Sequence, residues 1–85
     1  MERMAVVEKG PHLLVFRDRL APERGSWLID ASIVEQGFVA RYIIQDASGR
    51  PRLLDQLALR SIDQLRDFAA QLNVHGWTSV PASTV

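Results

Sequence analysis

The sequence predicts an α+β domain: an antiparallel β-meander of three to four strands followed by one C-terminal amphipathic helix packed on one face of the sheet. Three observations predict it. Apolar residues alternate with polar ones through residues 26–46. A helix-start signal at Ser61 and Gln64 precedes apolar residues at helical spacing. The chain has 85 residues and no cysteine, which leaves room for one core and no disulfide.

The elements follow in order. Residues 4–8 suggest a short first strand, with Lys9-Gly10-Pro11 as the turn after it. Residues 12–17 read as a second strand, closed by the loop Ala21-Pro22-Glu23-Arg24-Gly25. The hairpin comes next. Trp27, Ile29, Ala31 and Ile33 alternate in its first arm, and Phe38, Ala40, Tyr42 and Ile44 in its second. Period-two alternation marks a half-buried strand. A turn at Gln36-Gly37 would pair Glu35 with Phe38, Ile33 with Ala40, Ala31 with Tyr42 and Ile29 with Ile44. That register puts every apolar residue of both arms on one face.

Residues 46–51 form a turn-rich connection, and residues 52–59 read as a last strand or a short helical turn. Ser61 and Gln64 then match a capping box. Ile62, Leu65, Phe68, Ala69 and Leu72 build an apolar stripe expected to face Trp27, Ile29 and Tyr42. Asn73 and Gly76 supply the stop. Residues 77–80 can return along a sheet edge. Residues 1–80 are thus expected to form the single domain and residues 81–85 a disordered tail.

Charge is balanced, with ten basic and ten acidic residues. A duplex-binding protein usually shows a basic excess, because neutralising phosphates drives its affinity. Nine of the ten basic residues are arginine, a bias that a GC-rich bacterial genome produces. The apolar runs are far shorter than the roughly 20 residues of a membrane helix, so a cytoplasmic location without membrane contact is expected.

Catalytic patterns are missing from the sequence. His12 and His75 lie far apart, and Ala47-Ser48-Gly49 reads as a turn and not as a nucleophile elbow. Asp63 and Asp67 lie one helical turn apart on the polar side of the helix, where solvent accounts for them. The glycines occur singly, without a phosphate-cradling loop. The chain is therefore expected to be non-enzymatic, with no cofactor and no metal.

Arginine and aromatic residues dominate binding hot spots. The candidate interaction surface is accordingly Arg17, Arg19, Asp30, Arg41, Arg50, Arg52 and Trp77. Asp30 and Arg41 are diagonal neighbours across the hairpin, within reach of an ion pair. The thin core and the lack of staples favour self-association. The expected function is a small protein–protein interaction module, of accessory, regulatory or inhibitor type, acting as a homodimer or through an exposed sheet face on an unidentified protein partner. Its size fits a phage or mobile-element protein. The alternative is a single-stranded nucleic-acid binder that gathers its arginines on one face. A third reading, a small-molecule site between sheet and helix, requires a cavity beside Trp27, Tyr42 or Trp77.

Overall fold

The computed structural model describes residues 12–80. They form strands β1 (Leu14–Asp18), β2 (Ser26–Ala31), β3 (Phe38–Gln45), β4 (Pro51–Leu59) and β5 (Trp77–Val80), with helix α1 (Ile62–Val74) between the last two. The α+β class and the antiparallel sheet agree with the sequence reading. The sheet has five strands instead of three to four, in the order β4-β3-β2-β1-β5. Residues 4–8 and 81–85, read above as a strand and a tail, lie outside the described residues.

Only β1 to β4 form a meander. The chain leaves β4 at one edge, crosses a face as α1, and returns as β5 beside β1 at the other edge. The dimensions match. Thirteen helical residues span about 20 Å, and four inter-strand spacings cover about 19 Å. Residues 60–61 and 75–76 at its two ends complete the crossing.

Its start is as the sequence indicates. Ser61 Oγ accepts from the Gln64 backbone N–H at 3.1 Å. The Gln64 side chain reaches back one residue further than in the usual box, accepting from the Arg60 N–H at 2.7 Å. At the other end Gly76 takes φ of 90° and donates its N–H to the Asn73 carbonyl.

The helix face of the sheet carries the main core. Phe16, Ile29, Ala40, Leu59 and Trp77 are buried there with Leu65 and Leu72 of the helix. Trp27, Phe38, Tyr42, Phe68 and Ala69 pack around them. Ile62, at the front of the stripe, is half exposed instead. Trp27 stacks on Tyr42 with ring centroids 5.1 Å apart. Phe68 meets Trp27 edge-on at 5.0 Å, and Trp77 meets Tyr42 edge-on at 5.8 Å. The reverse face holds a smaller cluster of Val15, Leu28 and Ile43, joined by Val80.

The central hairpin differs from the expected register. Ala31 pairs with Phe38, Ile29 with Ala40 and Trp27 with Tyr42. Phe38 keeps its place as the first residue of β3, and residues 32–35 leave the first arm for the loop. Ser32 Oγ accepts from the Val34 and Glu35 N–H groups at 3.4 and 3.3 Å, and its own N–H donates to the Gly37 carbonyl. A serine that satisfies local amides in this way competes with the strand ladder. The shift is an even number of residues, so the face assignment of the remaining apolar residues survives. Ile33 does not share it: the side chain is 98% exposed in the loop.

Gly37 has φ of 108°, and a Cβ on it would lie 2.3 Å from the Leu59 carbonyl oxygen. Gly49 has φ of 83° with open space around it. Gly49→Ala is therefore expected to cost about 1 kcal/mol from its backbone alone. Gly37→Ala should add a steric penalty of about 1–3 kcal/mol. Urea unfolding of the two variants checks this, and equal losses would contradict a packed turn at Gly37.

Candidate functional site

The candidate arginines are not brought together. Arg17, on the reverse face of β1, donates from Nε to Ser26 Oγ at 3.0 Å. Arg41, on the reverse face of β3, donates from Nε to Gln56 Oε1 at 3.1 Å. Arg52 pairs with Ile44, one residue on from Ile43, and so faces away from Arg41. Arg19 follows β1 and Arg50 sits in the β3–β4 turn, both exposed. Trp77 is 4% exposed and belongs to the core, so it is not available to a partner. The pull of the Tyr42 ring and the Arg24 guanidinium, 5.1 Å from its own ring centre, accounts for that inward position.

Asp30 and Arg41 do meet, as their diagonal placement implies, with Nη1 and Oδ2 3.9 Å apart. The pair is part of a longer polar row. His12 Nδ1 lies 2.9 Å from Asp30 Oδ2 and 3.2 Å from Oδ1. A carboxylate only accepts, so Nδ1 carries the proton in that contact. The row runs His12, Asp30, Arg41, Gln56 across the reverse face. It ends on the Gln56 amide, and its contacts tie β2, β3 and β4 together across that face.

Sequence reasoning missed a second polar centre at the β1–β2 corner. Asp18 is 6% exposed. Its Oδ1 accepts from the Leu20 and Ala21 N–H groups at 2.9 and 3.2 Å, and its Oδ2 accepts from Arg24 Nη1. Arg24 lies over Trp77, and its carbonyl accepts from the Tyr42 hydroxyl. The signal was present: an aspartate just before a loop containing proline is a common Asx-turn pattern. The Leu20 N–H holds the Asp18 carboxyl below its ordinary pKa. Burial opposes that, and Arg24 and the Ala21 N–H reinforce it.

Two concave surfaces stand out, and neither lies between sheet and helix. One, of about 410 Å³, is lined by Arg17, Glu23, Ser26, Ile43 and Asp46. The other, of about 590 Å³, lies between the 32–37 loop and the reverse face of β3 and β4. Ile33 and Val34 form its wall and are 98% and 85% exposed. It is thus an open bay, and it adjoins β4, whose residues 52–56 are all exposed. Leu53 and Leu54 stand out among them at 38% and 50% exposure. Sequence reasoning missed all four of these apolar side chains. Ile33 was absorbed by the alternation, and the leucines of β4 fitted neither period.

Among the described residues no three of His, Asp and Glu gather as metal ligands, and no helix is long and apolar enough to cross a membrane.

Asp18 gives a pH prediction. Its folded pKa is depressed, so its contribution to stability is complete above the ordinary value of 3.8 and is lost as pH falls through the folded value. Asp18→Asn is expected to lower stability at neutral pH and to flatten the decline between roughly pH 5 and pH 2. Thermal unfolding across that range checks it; parallel curves for the two proteins would contradict it. Compared with family models, curated proteins and solved structures, the chain matches none.

Proposed function

We propose that this domain is a non-enzymatic protein–protein interaction module that works as a homodimer through the β4 margin of its sheet. The observation that carries the reading is the open edge strand. β4 is nine residues long and, among the described residues, pairs only with β3 and ends the sheet. An edge of that length presents unpaired backbone groups, which native proteins cover or use.

Other features of the margin support a second copy as its occupant. A two-fold interface must be self-complementary. On β4, Leu53 and Leu54 lie between Arg52 and Asp55. An antiparallel approach centred on the leucines sets each Arg52 beside the partner's Asp55. Leu54 is also the extra residue of a bulge: Tyr42 pairs with Asp55 while Ile43 pairs with Leu53. A bulge re-aims a side chain out of the regular pleat, which suits a projecting leucine. Ile33 and Val34 widen the apolar surface beside the strand. Arg17 and Arg41 share the reverse face two strands apart, but Arg52 faces the other way and Arg19 and Arg50 sit outside the strands, which gives no support to a single nucleic-acid groove.

The experiment is sedimentation equilibrium over a range of concentrations. The wild-type chain is expected to form dimers, and Leu54→Lys to be a monomer with unchanged circular dichroism. Arg52→Asp and Asp55→Arg should each weaken the dimer, and the double variant should recover part of the loss, on the scale of about 0.2–1 kcal/mol per exposed pair. A monomeric wild-type chain at every concentration would overturn the reading.

A further inference from the structure

The concavity of about 410 Å³ beside the β1–β2 corner collects opposite charges that do not meet. Arg17, Ser26 and Ile43 follow one another in register across β1, β2 and β3 on the reverse face. The loop before β2 contributes Glu23 and Gly25, and the chain leaving β3 contributes Asp46. The corner is held in shape, because the loop backbone is packed against β3: a Cβ on Gly25 would lie 2.3 Å from the Ile43 carbonyl oxygen.

Each charged group in it has binding capacity to spare. Arg17 donates from Nε to Ser26 Oγ, which orients the guanidinium. Its two Nη groups make no hydrogen bond or ion pair among the described residues. That end of the fork matches the two oxygens of a carboxylate. Glu23 has no hydrogen bond or ion pair among the described residues either. Asp46 uses Oδ1 for the Ser48 and Arg50 amides and the Ser48 hydroxyl, and leaves Oδ2 without a hydrogen bond. Arg52 also pulls on Asp46, so Glu23 is the less compensated of the two carboxylates. Arg17 forms no ion pair with either acid, although all three line the same concavity.

We propose that this concavity binds a small zwitterion, its carboxylate on Arg17 and its ammonium group on Glu23 in the field of Asp46. A plain anion would gain Arg17 but be repelled by two carboxylates, and a plain cation would meet the reverse. A ligand that carries both charges at a distance satisfies both sides. The volume lies in the range of small-molecule sites, roughly 300–1,000 Å³. The ligand class is that of ω-amino acids and short peptides. This inference does not depend on the use of β4.

An NMR titration of the full chain with δ-aminovalerate tests it, read at the Arg17 Nε–H and the Ser26 amide. Saturable shifts are expected, with a Kd on the order of 1 mM. Valerate and pentylamine each carry one of the two charges and are expected to bind about tenfold more weakly. Arg17→Gln and Glu23→Gln should each weaken δ-aminovalerate by about tenfold, while Arg41→Gln on the same face leaves it unchanged. No saturable shift at about 50 mM ligand would overturn the proposal. So would valerate or pentylamine binding as tightly as the zwitterion, since the site would then read one charge only. An equal loss in Arg41→Gln would overturn it too, because the response would then follow net charge and not this concavity.

Discussion

The stack of Trp27 on Tyr42 is the interaction on which the remaining architecture depends. These two rings face each other across the central pair of strands. Phe68 of α1 meets one of them edge-on and Trp77 of β5 meets the other. Each such pair contributes about 0.5–1.5 kcal/mol beyond the burial of its area. The Tyr42 hydroxyl then fixes the Arg24 carbonyl, and Arg24 binds Asp18 at the end of β1. One continuous set of contacts therefore joins the middle of the sheet, the helix, the last strand and the first corner. In a domain this small, which buries only about 60–65% of its unfolded surface, such concentration matters. Loss of one ring loosens several elements at once.

That arrangement also decides which surface is left over. The aromatic cluster holds α1 and β5 on one face and edge of the sheet, and β5 covers the β1 edge by pairing with it. The opposite edge gains nothing comparable. Only Leu57 and Leu59 of β4 join the main core, while its first half stays exposed. Among the described residues the sheet thus ends on a four-residue strand, β5, at one edge and on a nine-residue strand, β4, at the other.

Much of the fold was legible in the sequence because it rests on local rules. The Ser61 cap, the helical stripe and the face assignment of Trp27, Ile29, Ala40 and Tyr42 all follow from periodicity and capping chemistry. The hairpin register was not legible, because Ser32 satisfies two loop amides and so withdraws residues 32–35 from the ladder. Nothing in the alternation of Ile33 signals that competition. The position of β5 was only partly legible. Strand pairing between residues 15–18 and 77–80 is non-local, and a sequence pattern identifies a strand without naming its neighbour. The candidate surface fared unevenly for the same reason. The Asp30–Arg41 contact follows from hairpin geometry, whereas the burial of Trp77 depends on Tyr42 and Arg24, distant in sequence.

If the domain self-associates through the β4 margin as proposed, the amides of that strand must change environment on association. Amide hydrogen exchange measured for residues 51–59 at low and high protein concentration tests it most directly. Fast exchange of the outward-facing amides of β4 is expected in dilute solution and marked protection on concentration, with β2 protected throughout. Exchange in β4 that is identical at all concentrations would contradict it.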